Sequence, residues 1–206
     1  MKGAKGAVRN NACVSSRLAK PVAPVREVST ARLAIMAKHS CGIILYKIST
    51  EGKLLVLIGH MGGPFWRHKE NRSWSIIKGE LEEGEEPAAD VALREFEEET
   101  GYRPDKELVK IGDFKQPGGK VIHAWLSRDD WDHSKFVPGM FSMVWPKGSG
   151  RIAEFPEIDR VDWFAIPEAK DKIVKGQLPI LDQIAVDLTF DHSNGSDEPD
   201  RQDNPT

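Results

Sequence analysis

Glu95, Glu98 and Glu99 stand at i, i+3 and i+4 within Glu80 to Glu99, a stretch that holds ten acidic residues in twenty positions. On a helix turning about 100° per residue these three side chains fall within an arc of about 100°, so their carboxylates crowd one another. Each like-charge pair at such spacing destabilises an isolated helix by a few tenths of a kcal/mol, and Arg94 neutralises only part of the cluster. Three hard oxygen ligands on one face are what Mg²⁺ or Mn²⁺ takes, with waters or substrate phosphates completing an octahedron. The competing reading is a solvated surface helix decorated with Glu, itself a strong helix former.

The surrounding sequence favours a helix that borders a core. Ala89, Ala92, Leu93 and Phe96 project on an arc adjoining the acidic one, which suits packing against a sheet. Pro87 is suited to the first turn and Gly101 to the C-terminal cap. Upstream, CGIILYKI (41–48) and KLLVLIGH (53–60) are β-rich apolar runs joined by a turn that includes Gly52, and WSII (74–77) reads as a short buried strand. Downstream, ELVKIGDF (107–114) and KVIHAWLS (120–127) form a second strand pair across Pro117-Gly118-Gly119, and RVDWFAI (160–166) a later strand. PEAKDKIV (167–174) and LPILDQIAVDL (178–188) have helical composition or spacing. The order predicts an α+β fold, a mixed sheet with helices packed on its faces.

Bulk properties bound the function. A chain of 206 residues, 39% hydrophobic and 30% charged, has the composition of a soluble globular protein, and no apolar run reaches the roughly 20 residues that cross a bilayer. A net charge of −3 and a pI near 6.1 give no global reason to bind nucleic acid. Cys13 and Cys41 are the only cysteines, so neither a disulfide framework nor a structural zinc site is supported and a reducing, cytoplasmic setting is expected. Cys41 opens an apolar run and reads as a core residue. The ends differ from the middle. Residues 1–35 are basic and acid-poor, read as a disordered extension or upstream sequence, with a transit-like segment as the alternative; Pro21 and Pro24 would interrupt an amphipathic helix there. Residues 191–206 are polar and acidic and read as a disordered tail. The folded domain is therefore expected over 36–190.

Gly79, five residues, Glu85, then Arg94-Glu95-Phe96-Glu97-Glu98-Glu99-Thr100-Gly101-Tyr102 resembles the Nudix box, G-x5-E-x7-R-E-U-x-E-E-x-G-U, where U is a bulky aliphatic or aromatic residue. The second half fits at every defined position. Eight residues rather than seven separate Glu85 from Arg94, so either the loop carries one extra residue or Glu86 takes the place of the first Glu. Ile77 stands where many relatives have Pro. Beyond the box, GGPFW (62–66), WSIIKGE (74–80), GGKVIHAW (118–125), EFPEIDRVDWF (154–164) and IVKGQLPILD (173–182) are similar to a bacterial Nudix subgroup of predicted NTP pyrophosphohydrolases, over about Lys38 to Leu188.

The resemblance implies a Nudix-like α/β/α sandwich. It also implies divalent-metal-dependent hydrolysis of a nucleoside diphosphate linked to another moiety X, with a dinucleoside polyphosphate or an NTP as the leading substrate. The alternatives are a nucleotide sugar, a coenzyme or the 5′ end of RNA, or a non-catalytic module that senses nucleotides. By the same resemblance Glu95, Glu98, Glu99 and the backbone carbonyl of Gly79 hold Mg²⁺ (or Mn²⁺), Arg94 orients the glutamates, one carboxylate activates the water, and Glu154 or Glu157 supplies a further ligand or base. Lys78, beside Gly79, is the candidate phosphate contact. Phe65, Trp66 and Trp74 are candidates to stack on a base, with core packing as the alternative for each. His60, His68 and His123 read as core or surface histidines. The sequence leaves the oligomeric state open.

Overall fold

The computed structural model describes residues 38–193 apart from 83, 85 and 86. The expectations for residues 1–35, and the choice between Glu85 and Glu86, lie outside the described residues. Among the described residues nine strands and three α-helices follow in order: β1 His39–Ile48, β2 Leu54–Met61, β3 Trp74–Ser75, β4 Ile77–Leu81, α1 Ala88–Thr100, β5 Val109–Lys115, β6 Val121–Arg128, β7 Met140–Val144, β8 Ile152–Pro156, β9 Ile158–Ala165, α2 Ile166–Lys172 and α3 Leu178–Ser193. Helix α3 thus runs three residues into the segment expected to be a tail, and 194–206 lie outside the described residues. No helix among the described residues is long and apolar enough to cross a membrane.

Strand β1 organises the main sheet. It lies parallel to β6 from His39↔Val121 to Tyr46↔Arg128, and β5 pairs antiparallel with β6 beyond it. Along its other edge β1 pairs antiparallel with two different strands, β4 at residues 39–43 and β2 at residues 46–48. The sheet therefore forks, with β4 on one arm and β2, β3 and β9 on the other. The expected strand at 74–77 is split between these arms, because Ser75 pairs with β2 and Ile77 with β1.

Alternation of side chains across the pleat builds two cores. Cys41, Ile43 and Leu45 of β1, Leu57 of β2 and Trp125 of β6 face α1 and pack with its Val91, Ala92 and Phe96. Ile44, Val56, Ile58, Ile122, Ala124 and Leu126 face the opposite way, onto Ala169 of α2 and Ile180, Leu181 and Ile184 of α3. The result is a mixed sheet between helical layers, an α/β/α sandwich. Each hairpin turn uses the conformational freedom of a glycine: Gly52 has φ 76° and Gly119 φ 84°. Strands β7 and β8 form a separate two-stranded antiparallel sheet.

Candidate functional site

Helix α1 carries the acidic face, and its orientation follows from its apolar residues. With Val91, Ala92 and Phe96 buried on the sheet, Glu95 and Glu99 are drawn to the border of the core while Glu98 stays open. Glu99 is only 7% exposed. The helix stops at Gly101, whose φ of 72° turns the chain and lets its N–H donate to the Glu97 carbonyl at 2.7 Å.

The Glu95 carboxyl group lies directly against the Gly79 backbone. A Cβ built on Gly79 would fall 1.4 Å from Glu95 Oε2 and 1.8 Å from its carboxyl carbon. Arg94 Nη1 holds the other oxygen, Glu95 Oε1, at 2.8 Å and reaches both Glu98 oxygens at 3.3 Å. Glu99 Oε2 accepts a hydrogen bond from the Lys78 backbone N–H at 3.3 Å. Thus β4 meets α1 where the Lys78 amide donates to Glu99 and where the Glu95 carboxyl packs against the Gly79 backbone.

A fourth carboxylate arrives from the turn between β8 and β9. Glu95, Glu98, Glu99 and Glu157, with Gly139 and Met140, line one concavity of about 240 Å³. The chain before β7 fits closely on the end of α1: Val137 N–H donates to Thr100 O at 2.9 Å, and a Cβ on Gly139 would lie 2.7 Å from Glu98 O. Glu157 N–H in turn donates to Gly139 O at 2.9 Å. This chain of main-chain contacts fixes Glu157 relative to the helix.

Electrostatically the cluster is unfavourable without a counter-charge. Burial pushes the Glu99 carboxyl up from its ordinary 4.5 to about 8; the Lys78 ammonium opposes this, and the Glu157 and Glu95 carboxylates reinforce it. Glu95 is also raised, chiefly by burial, with Arg94 pulling it down and Glu98 and Glu157 pushing it up. Among the described residues no group of three or more His, Cys, Asp and Glu side chains is drawn together tightly enough to hold an ion as it stands. The Glu95 carboxyl is engaged with Arg94 and Gly79, and Glu99 with the Lys78 amide. The donor set itself, four carboxylates around a small concavity with mutual repulsion, fits a hard divalent cation.

A second, larger concavity of about 410 Å³ opens beside the first and shares Glu99 and Glu157 with it. Its walls are mostly apolar: Met61 at the end of β2, Pro64, Phe65 and Trp66 from the segment after it, Ile76 between β3 and β4, and Phe141 and Met143 from β7, with Lys78 at the acidic side. Phe65 is 57% exposed and meets Trp145 edge to face, with ring centroids 5.1 Å apart.

The sequence expectations divide accordingly. Glu95, Glu98, Glu99 and Glu157 come together; Glu154, exposed on β8, lines neither concavity. Phe65, Trp66 and Lys78 line the apolar concavity. Trp74 does not: it is 2% exposed, packed edge to face on Phe164 and His60, and so is a core residue with no face free for a base. His68 is exposed, His60 is fully buried, and His123 pairs with Asp113 and His39. Strand β7 and its contributions, Met140, Phe141 and Met143, with Gly139 just before it, lie outside the elements expected from the sequence. The signal was present in the period-two apolar run Phe141, Met143, Trp145 facing Phe155, but Pro138, Pro146 and several glycines break the region up.

An α/β/α sandwich with a forked mixed sheet and a glutamate-bearing helix capped by Gly101 defines a Nudix-type domain. The NUDIX domain family model matches residues 38–184, more than half of the chain, and the chain belongs to that family. Over 97 residues it is 34% identical to an ADP-ribose pyrophosphatase of Bacillus subtilis (strain 168), a match covering 46% of this chain and 49% of that protein. The chain thus spans about half the length of this curated relative. Among solved structures it resembles the NUDIX domain of Shewanella oneidensis NrtR complexed with ADP ribose (TM-score 0.51, 14% identity, 74% of this chain and 88% of that one). It also resembles a C. elegans Ap4A hydrolase binary complex (TM-score 0.51, 16% identity, 73% and 98%). At these identities the two structures speak for the fold alone.

Proposed function

We propose that the protein is a divalent-metal-dependent pyrophosphohydrolase that cleaves a pyrophosphate bond in a nucleoside diphosphate linked to another moiety. The observation that carries this reading is the adjacency of the two concavities, one acidic and one apolar, joined at Glu99 and Glu157. A nucleotide has the matching halves, a flat base and a polyanionic phosphate chain.

Glu95, Glu98 and Glu99, with the Gly79 carbonyl, are the residues that would hold Mg²⁺ or Mn²⁺. When bound, such an ion neutralises phosphate oxygens and lowers the pKa of water. Arg94 keeps Glu95 and Glu98 oriented through its two ion pairs. The Lys78 ammonium contacts a phosphate oxygen and draws the chain toward the helix. The base lies against Phe65 and the thioethers of Met61 and Met143, where stacking contributes roughly 1–3 kcal/mol. Glu157 borders both concavities and accepts a proton from the attacking water. The water oxygen forms a bond to phosphorus, the bridging P–O bond breaks, and the leaving group departs as a phosphate anion.

The moiety X is the finer question. The 34% identity to an ADP-ribose pyrophosphatase supports testing ADP-ribose beside dinucleoside polyphosphates and NTPs. The experiment is a screen of these compounds with the full chain in Mg²⁺ and in Mn²⁺, with products identified by mass. Metal-dependent release of a nucleoside phosphate from at least one of them is expected. Tight nucleotide binding in Mg²⁺ with no product from any would establish a sensing module instead.

A further inference from the structure

His60, at the end of β2, is fully buried and has hydrogen bonds on both ring nitrogens: Nε2 to the Lys69 carbonyl oxygen and Nδ1 to Asp159 Oδ1, each at 2.7 Å. A carbonyl oxygen only accepts, so Nε2 carries a proton. Asp159, 22% exposed, thus holds the second ring nitrogen from the β9 side, and the ring bridges two segments that are far apart in sequence.

The three segments joined by this ring are those that shape the apolar concavity. Lys69 belongs to the segment of residues 62–73 that bears Phe65 and Trp66. Asp159, the second residue of β9, lies two residues after Glu157. Gly62, two residues beyond His60, donates its N–H to Glu157 O at 2.8 Å, and a Cβ on Gly62 would lie 2.1 Å from Pro156 O. The other charged groups nearby lie on the outer side of the same region. Arg160 pairs with Glu70 and lies 3.8 Å from Asp159, while Lys172 pairs with Glu70 and sits over the Trp74 ring. The segment is further tied by Ser73 Oγ donating to the Lys69 and Glu70 carbonyls and by Arg72 Nη1 donating to Lys170 O and Ile173 O.

We infer that His60 is a positioning residue: doubly hydrogen-bonded between Lys69 and Asp159, it sets the Phe65–Trp66 segment at a fixed distance from Glu157 and so governs binding of the nucleobase end of the substrate. This rests on the reading of the apolar concavity as the base site. His60 touches no reacting atom, so its loss acts on substrate binding and leaves the hydrolytic carboxylates in place.

The test has two independent arms on the full chain. In the first, ¹⁵N NMR of the histidine rings in the unaltered protein shows His60 Nε2 carrying a proton protected from solvent exchange, as its hydrogen bond to the Lys69 carbonyl requires; a bare or freely exchanging Nε2 overturns the clasp. In the second, Asp159→Asn and His60→Asn are assayed on ADP-ribose, or on whichever compound of the screen is turned over, after circular dichroism establishes that they fold. A KM raised by about tenfold or more, with kcat and the Mg²⁺ activation constant little changed, is the expected split for a lost buried hydrogen bond that positions the segment. A fall in kcat at unchanged KM, or no change in either, overturns the positioning role. If the unaltered protein hydrolyses none of the compounds, the functional reading fails separately and the ring-proton measurement still decides the state of His60.

Discussion

The Glu95 carboxyl group occupies the space that any side chain at position 79 would need. With a Cβ only 1.4 Å from Glu95 Oε2, Gly79→Ala forces either the carboxylate or strand β4 to move. Position 79 sits mid-strand against Cys41, so the strand has little freedom to yield, and the carboxylate is the part that swings away. A displacement of about 1 Å at a reacting centre is enough for a loss of about a hundredfold, so Gly79→Ala is expected to fold and to lose at least that much in kcat/KM. Steady-state kinetics with a thermal melt check both halves; normal turnover would show that Glu95 is not needed where it stands.

The raised Glu99 carboxyl makes stability depend on pH in a direction opposite to that of a salt-bridged acid. Its folded value, about 8, exceeds the ordinary 4.5, so the native state holds a proton that the unfolded chain has released. The contribution is therefore fully present below pH 4.5 and is lost as pH rises through 8. Metal-free protein should become less stable between pH 5 and 9 by an amount on the order of a few kcal/mol, and Glu99→Gln should flatten that slope. Urea titrations with EDTA at several pH values test this. Stability that climbs over the same window in the parent and is unaltered in Glu99→Gln would contradict the origin assigned here.

Of the two distal acids, only Glu157 borders the cluster. Glu157→Gln is expected to lower kcat by roughly a hundredfold or more, as for loss of a general base or a ligand. Glu154→Gln, on the exposed face of β8, is expected to leave kcat and KM unchanged. Parallel assays of the two variants separate them, and equal losses would argue that β8 also reaches the substrate.

Phe65→Ala removes a ring from the apolar concavity without touching the core. Loss of one base-stacking partner predicts a KM about fivefold higher or more, with kcat preserved. Trp74→Ala and Phe96→Ala, by contrast, open cavities under the sheet and should each cost about 3–5 kcal/mol of stability. Chemical denaturation distinguishes the groups: a Phe65→Ala protein as unstable as Trp74→Ala would mean the ring is structural.

Much of the domain was readable because its signals are local. The apolar alternation of β1, β2 and β6 and the Pro87 to Gly101 bracket around α1 depend on neighbours in sequence, and these elements fall close to where they were expected. The shared acidic face of Glu95, Glu98 and Glu99 was readable for the same reason, since i, i+3 and i+4 positions meet on any helix. What failed were the parts decided by tertiary contact. Trp74 and Phe65 are alike as residues, yet a two-residue strand carries one beneath the sheet while the other remains on an exposed turn. Glu154 and Glu157 differ by three positions; the Gly139 carbonyl, which receives the Glu157 amide, and the Gly62 N–H, which donates to the Glu157 carbonyl, hold the second beside the acidic cluster. Strands β7 and β8 pair with each other outside the main sheet, so their period-two pattern has no larger periodic context in the sequence.

The most direct measurement is the turnover of Glu98→Gln and Glu99→Gln beside the unaltered full chain, on the best nucleoside diphosphate derivative of the screen, with Mg²⁺ and with EDTA. Turnover that requires Mg²⁺ in the parent and falls by roughly a hundredfold or more in both variants is the predicted result. Near-normal turnover in both variants, or hydrolysis indifferent to EDTA, would contradict a metal-dependent reaction at this helix face.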